Sequence, residues 1–318
     1  MRNIELFSPS DHLLLSRLIF GTGSLGSSIC YEDAAVLLDH YQEKGGTVID
    51  TARMYGNGSS EEIIGRYLSL SGRRNHVILS TKGGFPPKEN MHLSRIRPSA
   101  LLQDLEDSFH ALRVSHVDIY FLHRDDPDYP LSELMPFLHK LVSSGKVRFL
   151  GASNWSAARI SQANAFAIAH NLTPFSISQI QWSLAKTTPA MWEDDTIICM
   201  NEKEADFYAK THMPVMAFTP LTRGFFSKAI QKGIDSPSMD SFAAFKTPLN
   251  LLRIHRLEIL CQKYQATPSQ LCHAYLINHT IHGLAILGAK NLSHLKYSLE
   301  GADLILSPED IAFLSADT

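Results

Sequence analysis

Cysteine is scarce in this sequence. Four residues (Cys30, Cys199, Cys261 and Cys272) are spread through 318. They form no C-x-x-C pair and no His/Cys spacing of a zinc site, which argues against a disulfide scaffold or a structural metal. No stretch approaches the ~20 consecutive apolar residues of a membrane-spanning helix. The first residues, MRNIELFSPSD, lack a basic patch followed by an apolar run, so no signal peptide is expected and the cytoplasm, with reduced thiols, is the expected compartment. Excess positive charge is also missing. Lys and Arg number 29 against 32 Asp and Glu, a net charge of −3, which gives no support to nucleic-acid binding or to a polybasic membrane anchor. Linkers rich in Pro, Gly or Ser and low-complexity tracts are absent too, so residues 1–318 read as one domain. With 44% hydrophobic and 19% charged residues, the chain has ample material for a large core.

What is present is an alternation. Short β-rich apolar runs at Leu18–Gly21, Thr47–Thr51, Val77–Lys82, Asp118–His123, Phe149–Asn154, Ile177–Trp182, Val215–Thr219 and Ala285–Gly288 interleave with helix-period segments. The helices are expected near 32–44, 59–70, 98–113, 132–144, 156–170, 202–211, 267–279 and 291–300. Pro98 marks a first turn, and Gly45, Gly145 and Gly301 stand where helices should stop. Eight strand–helix pairs predict a parallel sheet closed into a (β/α)8 TIM barrel of the α/β class. Residues 3–15 should form an N-terminal cap over the barrel floor, with extra helices near 248–265 and 308–315. The rival is a doubly wound NAD-dependent dehydrogenase, because FGTGSLG matches G-x-G-x-x-G and Asp50 ends the next strand. In that fold the glycine turn runs directly into a helix, whereas here Ser27-Ser28-Ile29-Cys30 intervenes.

Chemistry in such a barrel sits at the C-terminal rim of its strands. The ends of strands two to five are Asp50, Lys82, His123 and Asn154, and Tyr55 follows five residues after Asp50. Each alone has an ordinary explanation as a turn, cap or surface residue. A barrel brings all of them to one opening, and together they suit carbonyl reduction by hydride. The alkoxide formed needs a proton and a stabilising charge. A phenol is a weak acid unless a neighbouring cation favours its phenolate. Lys82 supplies that cation, Asp50 holds the ammonium, Tyr55 gives the proton, and His123 orients the carbonyl oxygen.

With these residues in place the chain resembles the aldo-keto reductases over nearly its whole length. The resemblance rests on FGTGSLG, IDTARMYGNGSSEEIIGRYL, STKGG, DIYFLHRDDP, GASNW, SQIQWSLA, MAFTPLTRGFF and ILGAKNLSHLKYSL. It implies a catalytic tetrad of Asp50, Tyr55, Lys82 and His123, a barrel binding NADP(H) or less often NAD(H), no metal, and a small-molecule carbonyl substrate. It also implies that Ser153, Asn154 and Gln179 meet the nicotinamide carboxamide and that Phe218 stacks on its ring. Thr219, Pro220, Leu221 and Arg223 would run along the pyrophosphate, and Gly21, Thr22 and Asp50 complete that end. In the last unit the family often has Pro-Gly, then Gln, Glu and Asn on the following helix. This chain has Leu287-Gly288, Lys290, His294, Tyr297 and Ser298. Gly288, Lys290 and His294 are the expected contacts there, with Lys290 and the adjoining helix start suited to a 2′-phosphate.

Two other readings attach to the same residues. HRDDPD at 123–128 suggests a metal-dependent hydrolase, since His and Asp ligate zinc or harder cations, although Lys82 would repel such an ion. A non-catalytic barrel that binds cofactor as a redox sensor is the other. For the substrate, the rim offers an apolar and aromatic set: Met54, Phe85, Trp155, Trp182 and Trp192. No sequence feature specifies an oligomeric state.

Overall fold

A computed structural model describes residues 1–8 and 11–317. The chain begins with an antiparallel hairpin of β1 (Asn3–Phe7) and β2 (His12–Ser16). Eight parallel strands follow: β3 (Leu18–Gly21), β4 (Val48–Asp50), β5 (Ile78–Gly83), β6 (Val117–Leu122), β7 (Val147–Ser153), β8 (Ile177–Gln181), β9 (Val215–Phe218) and β10 (Gly283–Leu287). They pair in sequence order, and β10 pairs with both β9 and β3, so the barrel is closed. The closure removes the doubly wound alternative. The glycine-rich loop confirms why: after Gly21 the chain runs through turns to Cys30 before a helix starts.

The helical layer contains α1 (Tyr31–Glu43), α2 (Ser59–Ser71), α3 (Pro98–Leu112), α4 (Leu131–Ser143), α5 (Ala157–Ala169) and α6 (Glu202–Thr211). It continues with α7 (Phe225–Lys232), α8 (Pro248–Tyr264), α9 (Pro268–Asn278), α10 (Leu292–Glu300) and α11 (Pro308–Ser315). The expected extra helices are α8 and α11, which pack on each other. The sequence reading did not find α7. It is short, and its N-cap is Gly224 with no side-chain hydrogen bond, so it lacks the usual start signal. Two expected stops differ in kind. Gly145 has φ 75°, the left-handed conformation of a helix C-terminus. Gly301 has φ −70° and leads on into a 3-10 turn. Its need for glycine is a close approach: an added Cβ would lie 2.9 Å from the Gln270 carbonyl oxygen.

Strand periodicity divides the core. Ile19, Val48, Ile119, Phe121, Phe149, Ile177, Met216 and Leu284 fill the barrel interior and meet Ile4, Leu6, Leu13 and Leu15 of the hairpin. Their strand neighbours Leu18, Phe20, Ile49, Leu79, Tyr120, Leu122 and Leu150 point outward into the helical layer. The hairpin thus plugs the N-terminal end of the barrel. Asp11, just before β2, accepts from Arg148 Nε at 2.9 Å, while the same guanidinium reaches Asp118 at 2.8 Å.

That plug gives a stability prediction. Leu15 is fully buried and Leu14, its neighbour on the opposite face, is 51% exposed. Leu15→Ala should cost about 2–5 kcal/mol, whereas Leu14→Ala should stay within about 0.5 kcal/mol. Urea-unfolding midpoints of the two variants check it; equal midpoints would show that the hairpin does not seal the barrel.

Candidate active site

The inward phase of each strand, followed to the C-terminal rim, changes from apolar to polar. Val48 is followed two residues later by Asp50, and Ile78 by Ser80 and Lys82. Phe121 is followed by His123 and Ile177 by Gln179. Because successive strand residues alternate between faces, these polar side chains share the interior with the hydrophobic layers below them. Gly21, Phe218 and Gly288 occupy the corresponding inward positions on the remaining arc. Asn154 does not share this phase. It turns the chain at φ 57°, and its amide spans His123 O at 3.3 Å and Ser153 Oγ at 3.1 Å. Strand limits fall one residue from those expected at β5 and β6, since Gly83 still pairs with Leu122 and His123 N donates to Gly83 O at 2.8 Å.

Lys82 is the centre of the cluster. Its side chain is fully buried, and Nζ donates to Asp50 Oδ2 at 2.7 Å, Thr51 O at 2.8 Å and Tyr55 OH at 3.4 Å. All three ammonium protons therefore have acceptors. Asp50 Oδ1 accepts from Ser80 Oγ at 2.8 Å and Gln179 Nε2 at 3.1 Å. Burial disfavours charge on Lys82, but Asp50 and the Tyr55 oxygen outweigh it and hold the lysine pKa above its ordinary value. The ammonium is thus charged throughout the neutral range.

Tyr55 is half-buried at the start of a 3-10 turn, Tyr55–Gly58. The loop carrying it is fixed from below. Ser60 Oγ bonds Thr22 Oγ1 at 2.8 Å and lies 3.2 Å from Thr51 Oγ1. Arg53 donates to the buried Glu61 at 2.6 Å, and Thr81 donates to its other oxygen at 2.6 Å. Burial pushes the Glu61 carboxyl above its usual range, with Thr81, Ser108 and Arg53 opposing it. His123 stands edge-on to Phe85 at 4.8 Å and to Tyr55 at 6.0 Å between ring centroids. Burial, then the charges of Lys82 and Arg124, depress its pKa well below the ordinary value, so the imidazole is neutral at neutral pH. Nδ1 has no hydrogen-bond partner.

A groove of about 670 Å³ extends from Asp50 and Tyr55 across β3, β10 and β9 to the helical layer. Gly21, Thr22, Phe218, Thr219, Pro220, Leu221, Arg223, Gly288 and Lys290 line it. Ser153, Asn154 and Gln179 lie outside its lining, at the rim beside it, and Gln179 is engaged with Asp50. His294 is exposed on α10, does not line the groove, and donates its backbone N–H to the Asn291 cap. Sequence reasoning missed Lys228, which also lines the groove. Its signal was its position four residues after Gly224, in the helix that was not foreseen.

The groove suits a dinucleotide. Arg223, Lys228 and Lys290 line it, and among the described residues none is ion-paired; Arg223 lies over Trp192 at 5.1 Å and Lys228 over Phe242 at 4.5 Å. Thr219, Thr222, Arg223 and Gly224 all have positive φ, 50°, 47°, 55° and 86°. Non-glycine residues in that conformation carry strain, and the turn is closed by its own amides, Thr222 N donating to Thr219 O at 3.0 Å and Gly224 N to Leu221 O at 2.8 Å.

Other expected residues have structural surroundings. Trp155 and Trp182 are buried, packed on Phe175 and His279 respectively, and Trp192 is half-buried against Phe245. Met54 and Phe85 remain at the mouth, in a pocket with Leu93 that opens beside Lys82. Within HRDDPD, Arg124 binds Asp194 at 2.9 Å and Arg159 lies 3.6 Å from Asp125. No group of three or more His, Cys, Asp or Glu among the described residues could hold a metal ion. None of the described helices is long and apolar enough to cross a membrane.

The fold and cluster define a class: a closed (β/α)8 barrel whose rim joins a buried Lys–Asp pair to a tyrosine at one end of a cation-lined groove. The aldo/keto reductase family model matches residues 17–316, and the chain belongs to that family. It is 28% identical to norsolorinic acid reductase A of Aspergillus parasiticus over 96% of this chain and 79% of that protein. An aryl-alcohol dehydrogenase [NADP(+)] of Phanerodontia chrysosporium is 28% identical over 93% and 77% of the two chains. Probable aldo-keto reductase 1 of Glycine max is 28% identical over 93% and 84%. The protein is an oxidoreductase of the carbonyl-reducing class that uses a nicotinamide cofactor.

The depressed histidine predicts a pH effect of definite sign. Unfolded, His123 takes up its proton near pH 6.5; folded, it does so only well below that. The unfolded chain binds more protons between the two values, so this group's contribution falls as pH drops below about 6.5, by at most about 1.4 kcal/mol per pH unit. Asp125, raised chiefly by burial to about 6, acts in the opposite sense between about 3.8 and 6. His123→Gln should therefore flatten the loss of stability between pH 7 and pH 5 relative to the parent. Urea midpoints at the two pH values measure the difference, and parallel profiles would contradict it.

Proposed function

We propose that this protein reduces an aldehyde or ketone to an alcohol with NADPH, with Tyr55 as general acid. The observation that carries the reading is the Lys82 ammonium, held by Asp50 and Thr51 and directed at the Tyr55 hydroxyl. A reduced nicotinamide cofactor supplies the hydride when bound. As the carbonyl carbon gains hydride, its oxygen becomes an alkoxide and takes the Tyr55 proton. The phenolate left behind is stabilised by Lys82, whose charge Asp50, Ser80 and Gln179 keep in place. Tyr55 is half-buried, so solvent can restore its proton. His123, neutral and with its ring pinned between Phe85 and Tyr55, donates a hydrogen bond to the carbonyl oxygen. A neutral imidazole does this without adding a second cation beside Lys82.

Phe218, which lines the groove, would support the nicotinamide ring, an orientation effect on the reacting carbon. Arg223 and Lys228 would neutralise the pyrophosphate, and Lys290 would meet the 2′-phosphate. Met54, Phe85 and Leu93, which share a pocket beside Lys82 with Arg53, Arg95 and Asp104, would offer an aromatic carbonyl substrate apolar contact. The name of one relative, an aryl-alcohol dehydrogenase, agrees with that preference.

Tyr55→Phe removes only the hydroxyl, so cofactor affinity should persist while turnover falls ~10²–10⁴-fold. Lys82→Met should be comparably damaging, and it leaves Asp50 buried without its cation, a loss of about 3–5 kcal/mol in stability. The double variant should be little worse than either single one, because both disable one proton-donating unit. Steady-state reduction of an aromatic aldehyde, with cofactor affinity measured in parallel, tests this; near-normal turnover in Tyr55→Phe would defeat the mechanism. Lys290→Met should weaken NADPH binding by about ten- to a hundred-fold, as loss of one charge-assisted contact does, and leave NADH unchanged. Fluorescence titration with each cofactor reads the two affinities, and equal losses for both would remove the phosphate assignment.

A further inference from the structure

Among the groove residues that the catalytic scheme leaves unused is a buried histidine. His273 lies on α9, in the helical layer, whereas Asp50 ends a barrel strand and Tyr55 stands on the loop after it. The histidine is 1% exposed, yet it lines the groove together with Gly288, Lys290 and Ser298. Neither Nδ1 nor Nε2 has a hydrogen-bond partner of sound geometry. The flanking helix positions Leu271, Cys272, Ala274 and Leu276 are buried and carry no such demand. The Ser298 backbone approaches the ring without completing a hydrogen bond, and a buried polar ring left so is costly unless a ligand supplies partners.

The neighbourhood indicates what kind of ligand. Ser298 on α10 is short and half-exposed, and it lines the groove beside the buried imidazole. Phe242, with Lys228 over its ring at 4.5 Å, also lines the groove. Burial lowers the His273 pKa to about 4, with only a partial offset from the Ser298 backbone. The ring is therefore neutral, with one donor and one acceptor nitrogen. That is a poor partner for a phosphate and a good one for the mixed donor and acceptor edge of a heteroaromatic base.

We propose that His273 is a base-recognition residue: it turns one ring nitrogen outward, beside Ser298, to hydrogen-bond the purine of a dinucleotide lying in the groove. The proposal rests on the cofactor reading above and adds a specificity element to it. It separates two functions at the outer end of the groove, with Lys290 for charge and His273 for the base.

Dissociation constants of NADPH, NADH and reduced nicotinamide mononucleotide, measured by fluorescence or calorimetry without substrate, test it. His273→Leu should raise both dinucleotide constants by the same factor, about three- to ten-fold, as expected for one neutral hydrogen bond. The mononucleotide, which has no purine, should bind unchanged, and the NADPH to NADH ratio should stay constant. His273→Gln, which restores a donor and an acceptor, should recover most of the loss. Should the leucine variant be unstable, His273→Ala provides the same comparison. Unchanged dinucleotide affinity in a folded variant overturns the proposal, and so does a loss confined to NADPH, which would make His273 a phosphate contact. A wild-type protein that binds neither dinucleotide would instead refute the cofactor reading itself.

Discussion

A lysine side chain with no solvent exposure sits at the open end of the barrel, and much of the upper barrel is arranged around keeping it charged. Removing an ammonium from water is expensive, so Lys82 stays protonated only because Asp50 faces it at 2.7 Å and the Thr51 carbonyl and Tyr55 hydroxyl take its other protons. Asp50 in turn needs Ser80 and Gln179 on its second oxygen. These groups come from three different strands and one loop. Their meeting depends on the register in which Asp50 stands beside Ser80, and Lys82 beside Phe121. A slip of one residue would turn the carboxylate into the helical layer. Sheet register and site chemistry are therefore a single constraint.

The same period-two geometry explains why the apolar plug and the polar cluster coexist. Along the inward face the interior passes from the hairpin's leucines, through Val48, Ile119, Phe121, Phe149 and Ile177, to Asp50, Lys82 and His123. The hydrophobic layers exclude water from beneath the cluster and lower the local dielectric, so the Lys–Asp attraction and the desolvation of His123 are both strengthened. His123 stays neutral for the reason that Lys82 stays charged: burial acts on both, but only the lysine has a carboxylate facing it.

Electrostatics are distributed unevenly around the rim. On one side Arg53, Arg95 and Arg124 are bound to Glu61, Asp104 and Asp194, and they brace loops. On the other, Arg223, Lys228 and Lys290 line the groove without carboxylate partners among the described residues. The paired arginines are neutralised locally, whereas the cations along the groove leave it with positive charge.

The sequence by itself determined the fold class and most of its elements, because a parallel barrel needs buried apolar strands alternating with helices and that pattern survives in the linear order. It also drew attention to Asp50, Lys82, His123 and Asn154, since a polar residue that closes an apolar strand breaks a local pattern, and to Tyr55 by its place on the loop after Asp50. Other features had no local signature. Ser80 is a small polar residue inside a strand and is distinguished only by the carboxylate opposite it. Trp155 and Trp182 resembled rim aromatics but are buried, because side-chain direction at a strand end is set by the neighbouring helices. His294 sits one turn from the helix start yet faces solvent, while His273, in an unremarkable helical stretch, lines the groove. Those outcomes depend on which helix face meets the barrel and on contacts between residues far apart in the chain, and only the closed tertiary structure brings such residues together.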